Sequence, residues 1–156
     1  METKKRDLGI IKIIIMHCSD SDNPEHDHIN VIRTWHKKLG FYDVGYHFFI
    51  RKSGEIQQGR KIYNVGAHCK GHNLRSIGIC LSGRHEFTEN QFKSAQLLYL
   101  DLADILTLDN EDGTPVHAHN EFNIAKTCPN FELHEMTKFT NAQLADYKQL
   151  HHPLDM

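Results

Sequence analysis

Three sites in this sequence carry side chains that could bind a zinc ion: His17, the pair His117 and His119, and Cys128. His17 ends an apolar run near the amino terminus. His117 and His119 are separated by one residue, and Cys128 follows His119 by nine positions. A catalytic zinc ion takes three protein ligands from His, Cys or carboxylates and leaves a fourth position for water. These residues therefore suggest metal-assisted hydrolysis.

Each of these side chains also has an ordinary structural interpretation. The chain contains 13 histidines, most of which must be surface or core residues. A single cysteine such as Cys128 is more often a small buried hydrophobe than a ligand. Because strand side chains alternate, His117 and His119 are expected on one side of an extended segment, where either could bind a metal. The spacing alone therefore leaves the ligand set open.

Alternating strands and helices are predicted to position these residues. The β-branched run that ends at Cys18 indicates a central strand covered on both faces. Ser53-Gly54 has the composition of a two-residue hairpin turn. The predicted strands span 10–18, 46–52, 55–58, 76–82 and 115–119.

Helix signals separate and follow these strands. Asp27 is a candidate N-cap for a helix that ends at Gly40. Thr88 and Gln91 form a candidate capping box for a longer helix, and a final helix is expected toward Leu150. This order predicts an α/β fold, with a central mixed β-sheet flanked by helices in one domain over residues 1–156.

The composition narrows the possible partners and location. A net charge of −2 with no polybasic run argues against nucleic acid, because phosphate-driven binding requires clustered Lys and Arg. Lys12 interrupts a short amino-terminal apolar run that lacks a signal-type cleavage site. We expect a monomer that is cytoplasmic at synthesis, with no signal peptide, no membrane partner and reduced cysteines.

Three segments occur in the order and approximate spacing of one enzyme family. They are VGYHFFIRKSGEIQQGR, VGAHCKGHNLRSIGICLSG and the later H-N-E-x(4)-K-x-C-P. With them, the sequence resembles the type 2 N-acetylmuramoyl-L-alanine amidases, which include phage amidase lysozymes and animal peptidoglycan recognition proteins. The resemblance runs from about Ile13 to Phe131 and is closest to the phage lysozyme branch.

The resemblance implies zinc-dependent hydrolysis of the amide between N-acetylmuramic acid and L-alanine in peptidoglycan. It implies one Zn²⁺ ion held by His17, His119 and Cys128, with Tyr46 and Lys126 as the catalytic pair. The phenol would hydrogen-bond the attacking water, and the ammonium would stabilise the oxyanion.

The loop from Gly66 to Asn73, at the start of the second segment, supplies expected substrate contacts. His68 is expected to line the substrate cleft. Asn73 is expected to contact glycan or stem peptide, or to organise its own loop.

His119 is preferred over His117 as a ligand because the H-x-E that begins at His119 matches the family. The interval to the cysteine is one residue longer than in the phage branch, so His117 stays an alternative ligand. Glu121 is expected either to orient a ligand imidazole or to be a surface carboxylate of its loop.

Two alternative functions remain compatible with the sequence. Some recognition proteins of this superfamily bind muropeptides without cleaving them, although they usually lack the cysteine ligand that Cys128 provides here. A cytosolic amidase that recycles anhydro-muropeptides is the other alternative. An endolysin-like enzyme would act on the cell wall after release by lysis or through a holin-type route.

Overall fold

A five-stranded mixed β-sheet organises the chain, of which the computed structural model describes residues 4–108 and 115–151. Neighbouring strands lie in the order β3-β2-β4-β1-β5; β2 and β3 are antiparallel, and the other pairs are parallel. The predicted α/β fold with a mixed sheet is confirmed. The extreme ends of the predicted domain, residues 1–3 and 152–156, lie outside the described residues. The strands are β1 (Ile13–Cys18), β2 (Phe48–Ile50), β3 (Ile56–Gln58), β4 (Ser76–Leu81) and β5 (Val116–Ala118).

Helices cover both faces of this sheet. None of the helices in the described part of the chain is both long and apolar enough to cross a membrane. Short 3-10 turns occupy residues 8–10, 24–26, 119–121 and 133–136. The helices are α1 (Ile29–Lys38), α2 (Glu89–Ile105) and α3 (Asn141–His151).

Strand β1 is shorter than predicted at its amino end. Leu8–Ile10 forms a 3-10 turn in which the Asp7 side chain accepts a hydrogen bond from the Gly9 backbone N–H. The carboxyl end is where the sequence places it, so His17 is the penultimate residue of a strand that pairs with β4 and β5. The prediction of an interior strand is confirmed.

Helix α1 begins one residue later than predicted. His28, and not Asp27, is the N-cap, because Nδ1 of His28 accepts a hydrogen bond from the Asn30 N–H at 3.1 Å. The Asp27 carboxylate accepts the Lys52 N–H at 2.9 Å and is therefore committed to the β2–β3 hairpin. The helix ends at the predicted place, where Gly40 has a φ of 94°.

Alternation along the strands divides the core into two layers. Met16 of β1 packs into the larger cluster, which contains side chains of α2 and α3. Phe49 of β2 and Cys80 of β4 pack instead with Ile29 and Ile32 on the α1 side. Because neighbouring side chains in a strand point to opposite faces, His17 lies on the α1 side of the sheet.

Buried polar side chains fix α2 and α3 to the sheet. Thr88 and Gln91 form the predicted capping box, and the Gln91 amide also donates to the carbonyls of Ile50 and Ser82. The Tyr147 hydroxyl of α3 lies 2.6 Å from the Ser94 hydroxyl of α2. Ser94 in turn donates to a backbone carbonyl of the hairpin turn, so the three elements share one hydrogen-bond network.

The loop after β1 is fastened to the loop after β4 by Asp22. Its carboxylate accepts backbone N–H groups of Arg84 and His85 at 2.8 and 3.0 Å, a longer bond from Glu86, and the Lys52 ammonium at 3.0 Å. Partial burial raises the pKa of Asp22, but these donors outweigh it and hold the pKa well below its ordinary value.

We expect Asp22→Ala to lower the free energy of unfolding at pH 7 by about 2 kcal/mol, because charge-assisted hydrogen bonds are lost. Since the carboxyl pKa is lower in the folded than in the unfolded chain, this stabilisation is present at neutral pH and fades as the pH falls below about 4. Urea unfolding at several pH values measures the difference. Glu55→Ala is the control, because its exposed pair with Arg51 contributes little. An unfolding difference for Asp22→Ala that is independent of pH would contradict this account.

Candidate active site

The predicted metal ligands lie at one edge of the sheet because two parallel strands end there. Met16 of β1 pairs with Ala118 of β5, so the residues that follow each of them, His17 and His119, lie side by side at the carboxyl ends of the two strands. The carboxyl edge of parallel strands is where open α/β sheets bind ligands. Cys128 returns to this edge, where its Sγ accepts the backbone N–H of Cys18 at 3.0 Å.

The geometry of these three side chains fits one tetrahedral cation. His17, His119 and Cys128 each offer a ligand atom, and the three atoms lie within 4.8 Å of one another. Nδ1 of His17 is 3.1 Å from Nδ1 of His119. Two nitrogen ligands of one tetrahedral zinc ion, each about 2.1 Å from it, lie roughly 3.4 Å apart. The nitrogen pair is therefore close to the separation that zinc requires.

The protonation of the three residues also suits a cation. Burial lowers the pKa of His17 well below its ordinary value. Burial also lowers the pKa of His119, and the nearby charge of Lys126 lowers it further. Both imidazoles are therefore neutral at pH 7, as metal ligation requires. The contact with the Cys18 thiol and partial burial raise the pKa of Cys128, so ionisation of that thiol at pH 7 requires a cation beside it.

His117 lies apart from this group. The strand ends at Ala118 and His119 opens a 3-10 turn, so the expectation that both histidines share one side of an extended segment is wrong. Nδ1 of His117 lies 3.2 Å from the Glu121 carboxylate. The other Glu121 oxygen accepts the Ala118 N–H, so Glu121 contacts His117 and not His119. The expectation that Glu121 orients the imidazole of His119 finds no support in these contacts.

An open cleft of about 390 Å³ lies at the predicted metal ligands. It contains both predicted catalytic residues, Tyr46 and Lys126, and two of the three predicted metal ligands, His119 and Cys128. His17 lies beneath it with 1% of its surface exposed. The cleft is lined by Cys18, Ser19, Asp20, Tyr46, His119, Ala125, Lys126, Thr127, Cys128 and Asn130.

The two predicted catalytic side chains differ in environment. The Tyr46 ring lies 5.0 Å from the His17 ring, and burial raises the pKa of its phenol well above the ordinary value. Tyr46 is therefore protonated at neutral pH. Lys126 is exposed at the cleft, and within residues 4–108 and 115–151 no carboxylate lies close enough to pair with its ammonium. Its charge is therefore available to a substrate.

The two predicted substrate-binding residues make contacts within the protein. Nδ1 of His68 lies 2.8 Å from Nε2 of His17, on the side of that ring away from His119. The Asn73 side-chain oxygen accepts the backbone N–H groups of His68 and Cys69, both at 2.9 Å, and so organises its own loop. Neither residue is among those that line the cleft. Their contact with substrate stays a prediction.

Two residues near the site have roles that sequence reasoning missed. The Cys18 backbone N–H donates to the sulfur of Cys128, and Ser76 contacts His68. The position of Cys18 directly after His17 is a usable signal, because its backbone must lie at the same strand end. The local sequence gives no signal for Ser76, although its hydroxyl contacts a ring only eight positions earlier in the chain.

Comparison with known proteins places this geometry in a family. A family model described as N-acetylmuramoyl-L-alanine amidase matches residues 7–131. The endolysin of Escherichia phage T7 is 39% identical over 124 residues, which cover 77% of this chain and 81% of that protein. Peptidoglycan-recognition protein 2 of Holotrichia diomphalia is 32% identical over 93 residues, which cover 56% of this chain and 49% of that protein.

A solved structure agrees with these sequence relatives. N-acetylmuramoyl-L-alanine amidase LysC from Clostridium intestinale URNW superposes with a TM-score of 0.74 at 28% identity, over 87% of this chain and 89% of that chain. The resemblance noted from the sequence is thereby confirmed. The chain belongs to the N-acetylmuramoyl-L-alanine amidase family and is an amidase of the endolysin type.

Proposed function

We propose that the chain uses one zinc ion, held by His17, His119 and Cys128, to hydrolyse the amide between the lactyl group of N-acetylmuramic acid and L-alanine. The observation that carries this proposal is the convergence of two imidazole nitrogens and a thiol at the cleft that also contains Tyr46 and Lys126. A bound zinc ion supplies Lewis-acid polarisation of the carbonyl and activation of water at neutral pH.

The ligands hold the ion by complementary charge and geometry. His17 and His119 contribute neutral imidazoles, and Cys128 contributes a thiolate that lowers the net charge of the centre to +1. The Cys18 N–H at 3.0 Å from the Cys128 sulfur stabilises that thiolate by hydrogen bonding.

Tyr46 and Lys126 act on the reacting groups from the cleft. The Tyr46 phenol keeps its proton at neutral pH, so its oxygen can accept a hydrogen bond from the attacking water or donate one to the substrate. The Lys126 ammonium, which has no carboxylate partner in the described part of the chain, stabilises the negative charge that develops on the scissile carbonyl oxygen.

The assembly and location of the protein form part of the same proposal. All three donor residues and both catalytic residues come from a single chain, so a monomer is sufficient for activity. The endolysins among its relatives support action on the cell wall after the protein is released from the cytoplasm, where it is made.

Digestion of purified peptidoglycan tests the proposed bond specificity. Mass spectrometry of the products is expected to show stem peptides with a free L-alanine amino group and glycan strands of unchanged length. New reducing sugar ends, or peptides cut within the stem or crossbridge, would contradict the proposal. Rates on intact peptidoglycan and on anhydro-muropeptides distinguish wall lysis, with the faster rate expected on peptidoglycan, from a recycling activity.

The choice of His119 over His117 gives a paired prediction. His119→Ala is expected to lose bound zinc and to lose amidase activity about a thousandfold, because only two ligands remain. His117→Ala is the matched control and should keep about one zinc per chain with activity within twofold of wild type, since His117 contacts Glu121 and not the donor group. Metal analysis and the peptidoglycan assay on the same samples check both variants. Zinc loss in His117→Ala alone would reverse the assignment.

A further inference from the structure

A chain of hydrogen bonds runs from the buried side of His17 to the start of β4. Nε2 of His17 lies 2.8 Å from Nδ1 of His68. Nε2 of His68 lies 3.2 Å from the Ser76 hydroxyl, which donates to the His72 carbonyl at 2.7 Å. Through His68 and Ser76, the predicted metal ligand His17 is connected to the His72 carbonyl, a group that can only accept hydrogen bonds.

The fixed end of this chain determines the proton positions along it. Because the Ser76 hydroxyl gives its single hydrogen to the His72 carbonyl, its oxygen must accept the Nε2–H of His68. A neutral His68 with a proton on Nε2 has a bare Nδ1, which accepts the Nε2–H of His17. The remaining nitrogen of His17, Nδ1, then carries a lone pair. It is this atom that lies 3.1 Å from Nδ1 of His119.

The backbone leaves space for the His68 ring only because two neighbouring residues are glycine. A Cβ on Gly78 of β4 would lie 2.6 Å from Cγ of His68, and a Cβ on Gly66 would lie 2.7 Å from its Cδ2. Real side chains do not approach this closely. Asn73 holds the other end of the residue through the His68 backbone N–H. His68 is therefore confined at both its backbone and its ring.

The neighbouring histidine shows that this arrangement is specific to His68. His47 is fully buried, and its ring lies 5.9 Å from that of His68. Its Nδ1 accepts the Gly78 N–H, and its Nε2 contacts the Asn64 carbonyl and the Arg6 guanidinium. Both nitrogens of His47 are thus occupied away from the donor group.

We propose that His68 and Ser76 are positioning residues that hold His17 in its Nε2–H tautomer and so direct its Nδ1 to the zinc ion. This inference rests on the proposed zinc site. Hydrogen bonds of this kind from outside the ligand set orient a ligand imidazole and raise its basicity, and their loss typically costs 10- to 100-fold in metal affinity. The proposed positioning role gives His68 a function that requires no contact with the substrate.

Zinc affinity measured by competition with a chromophoric chelator tests the positioning role. His68→Leu is expected to weaken zinc binding by about 10- to 100-fold. His68→Asn is smaller but keeps a side-chain acceptor near the position of Nδ1, so it is expected to bind zinc within about threefold of wild type. Ser76→Ala should weaken binding in the same direction as His68→Leu but less. Ser94→Ala, which also loses buried serine hydrogen bonds, is the matched control and should leave zinc affinity unchanged.

A spectroscopic measurement on the unsubstituted protein makes the test independent of how well the variants fold. Long-range ¹H–¹⁵N spectra of the zinc-loaded chain are expected to show protons on Nε2 of both His17 and His68. A proton on Nδ1 of His68, or equal zinc affinities for His68→Leu, His68→Asn and wild type, would overturn the positioning role. Wild-type protein that binds no zinc would instead overturn the zinc site itself, and the positioning role with it.

Discussion

Replacement of Cys128 by serine is expected to remove the zinc ion and to reduce amide hydrolysis by about a thousandfold or more. A catalytic zinc ion contributes several kcal/mol to stabilisation of the transition state, and each 1.36 kcal/mol corresponds to a tenfold change in rate. A serine hydroxyl stays neutral at pH 7, so the site would lose its only anionic ligand among His17, His119 and Cys128. Metal analysis after dialysis, with turnover measured on the same sample, checks the prediction.

Cys69→Ser is the matched control for this variant. Cys69 is also buried, with 4% of its surface exposed, but its sulfur is not part of the donor group. We expect it to retain about one zinc per chain and activity within twofold of wild type. Retention of zinc and of more than a tenth of the activity by Cys128→Ser would show that the thiolate is not a ligand.

Replacement of Lys126 by methionine is expected to lower kcat about a hundredfold while the zinc content stays unchanged. Methionine keeps most of the apolar length of the side chain and removes the charge that would face the developing oxyanion, and loss of one such donor costs roughly 3 kcal/mol. Because this interaction strengthens in the transition state, kcat should fall much more than KM rises. Steady-state kinetics on a soluble muropeptide separates the two constants.

Lys148→Met is the control for Lys126→Met. Lys148 is an exposed lysine of α3, so its loss changes the net charge equally without a change at the cleft. Its kinetic constants should equal those of wild type. A Lys126→Met enzyme with unchanged kcat, or with a loss confined to KM, would assign Lys126 to substrate binding and not to oxyanion stabilisation.

The parts of this site that depend on local pattern are predictable from the sequence. The β-branched run before His17 predicts a strand, and its end predicts where the side chain leaves the sheet. The Thr88 and Gln91 capping box is likewise local, because an N-cap and a residue three positions later satisfy each other's backbone. Such features require only the order of neighbouring residues.

The features that the sequence left open depend on long-range packing. Strand periodicity places His117 and His119 on one side, but β5 ends at Ala118 and only His119 reaches His17, which is 102 positions away in the chain. The contact of His68 with His17 likewise depends on the pairing of β1 with β4. Which of the two candidate histidines lies beside His17 is therefore determined by where a strand ends.

Competition between a local and a long-range hydrogen bond explains why His28, and not Asp27, caps α1. Asp27 and His28 are both suited to cap α1, and the sequence favours the carboxylate. In the folded chain the Asp27 carboxylate is drawn to the Lys52 N–H, which leaves the cap to His28. The sequence pattern does not contain the position of Lys52, which is set by the β2–β3 hairpin.

Zinc titration into metal-stripped protein is the most direct test of the central claim that His17, His119 and Cys128 hold the catalytic ion. We expect release of L-alanine amino groups from peptidoglycan to be absent without metal and to rise linearly to a plateau at one zinc per chain. The same titration of Cys128→Ser should stay at baseline. Full activity in the stripped wild-type protein, or equal restoration of Cys128→Ser by one zinc, would contradict the account.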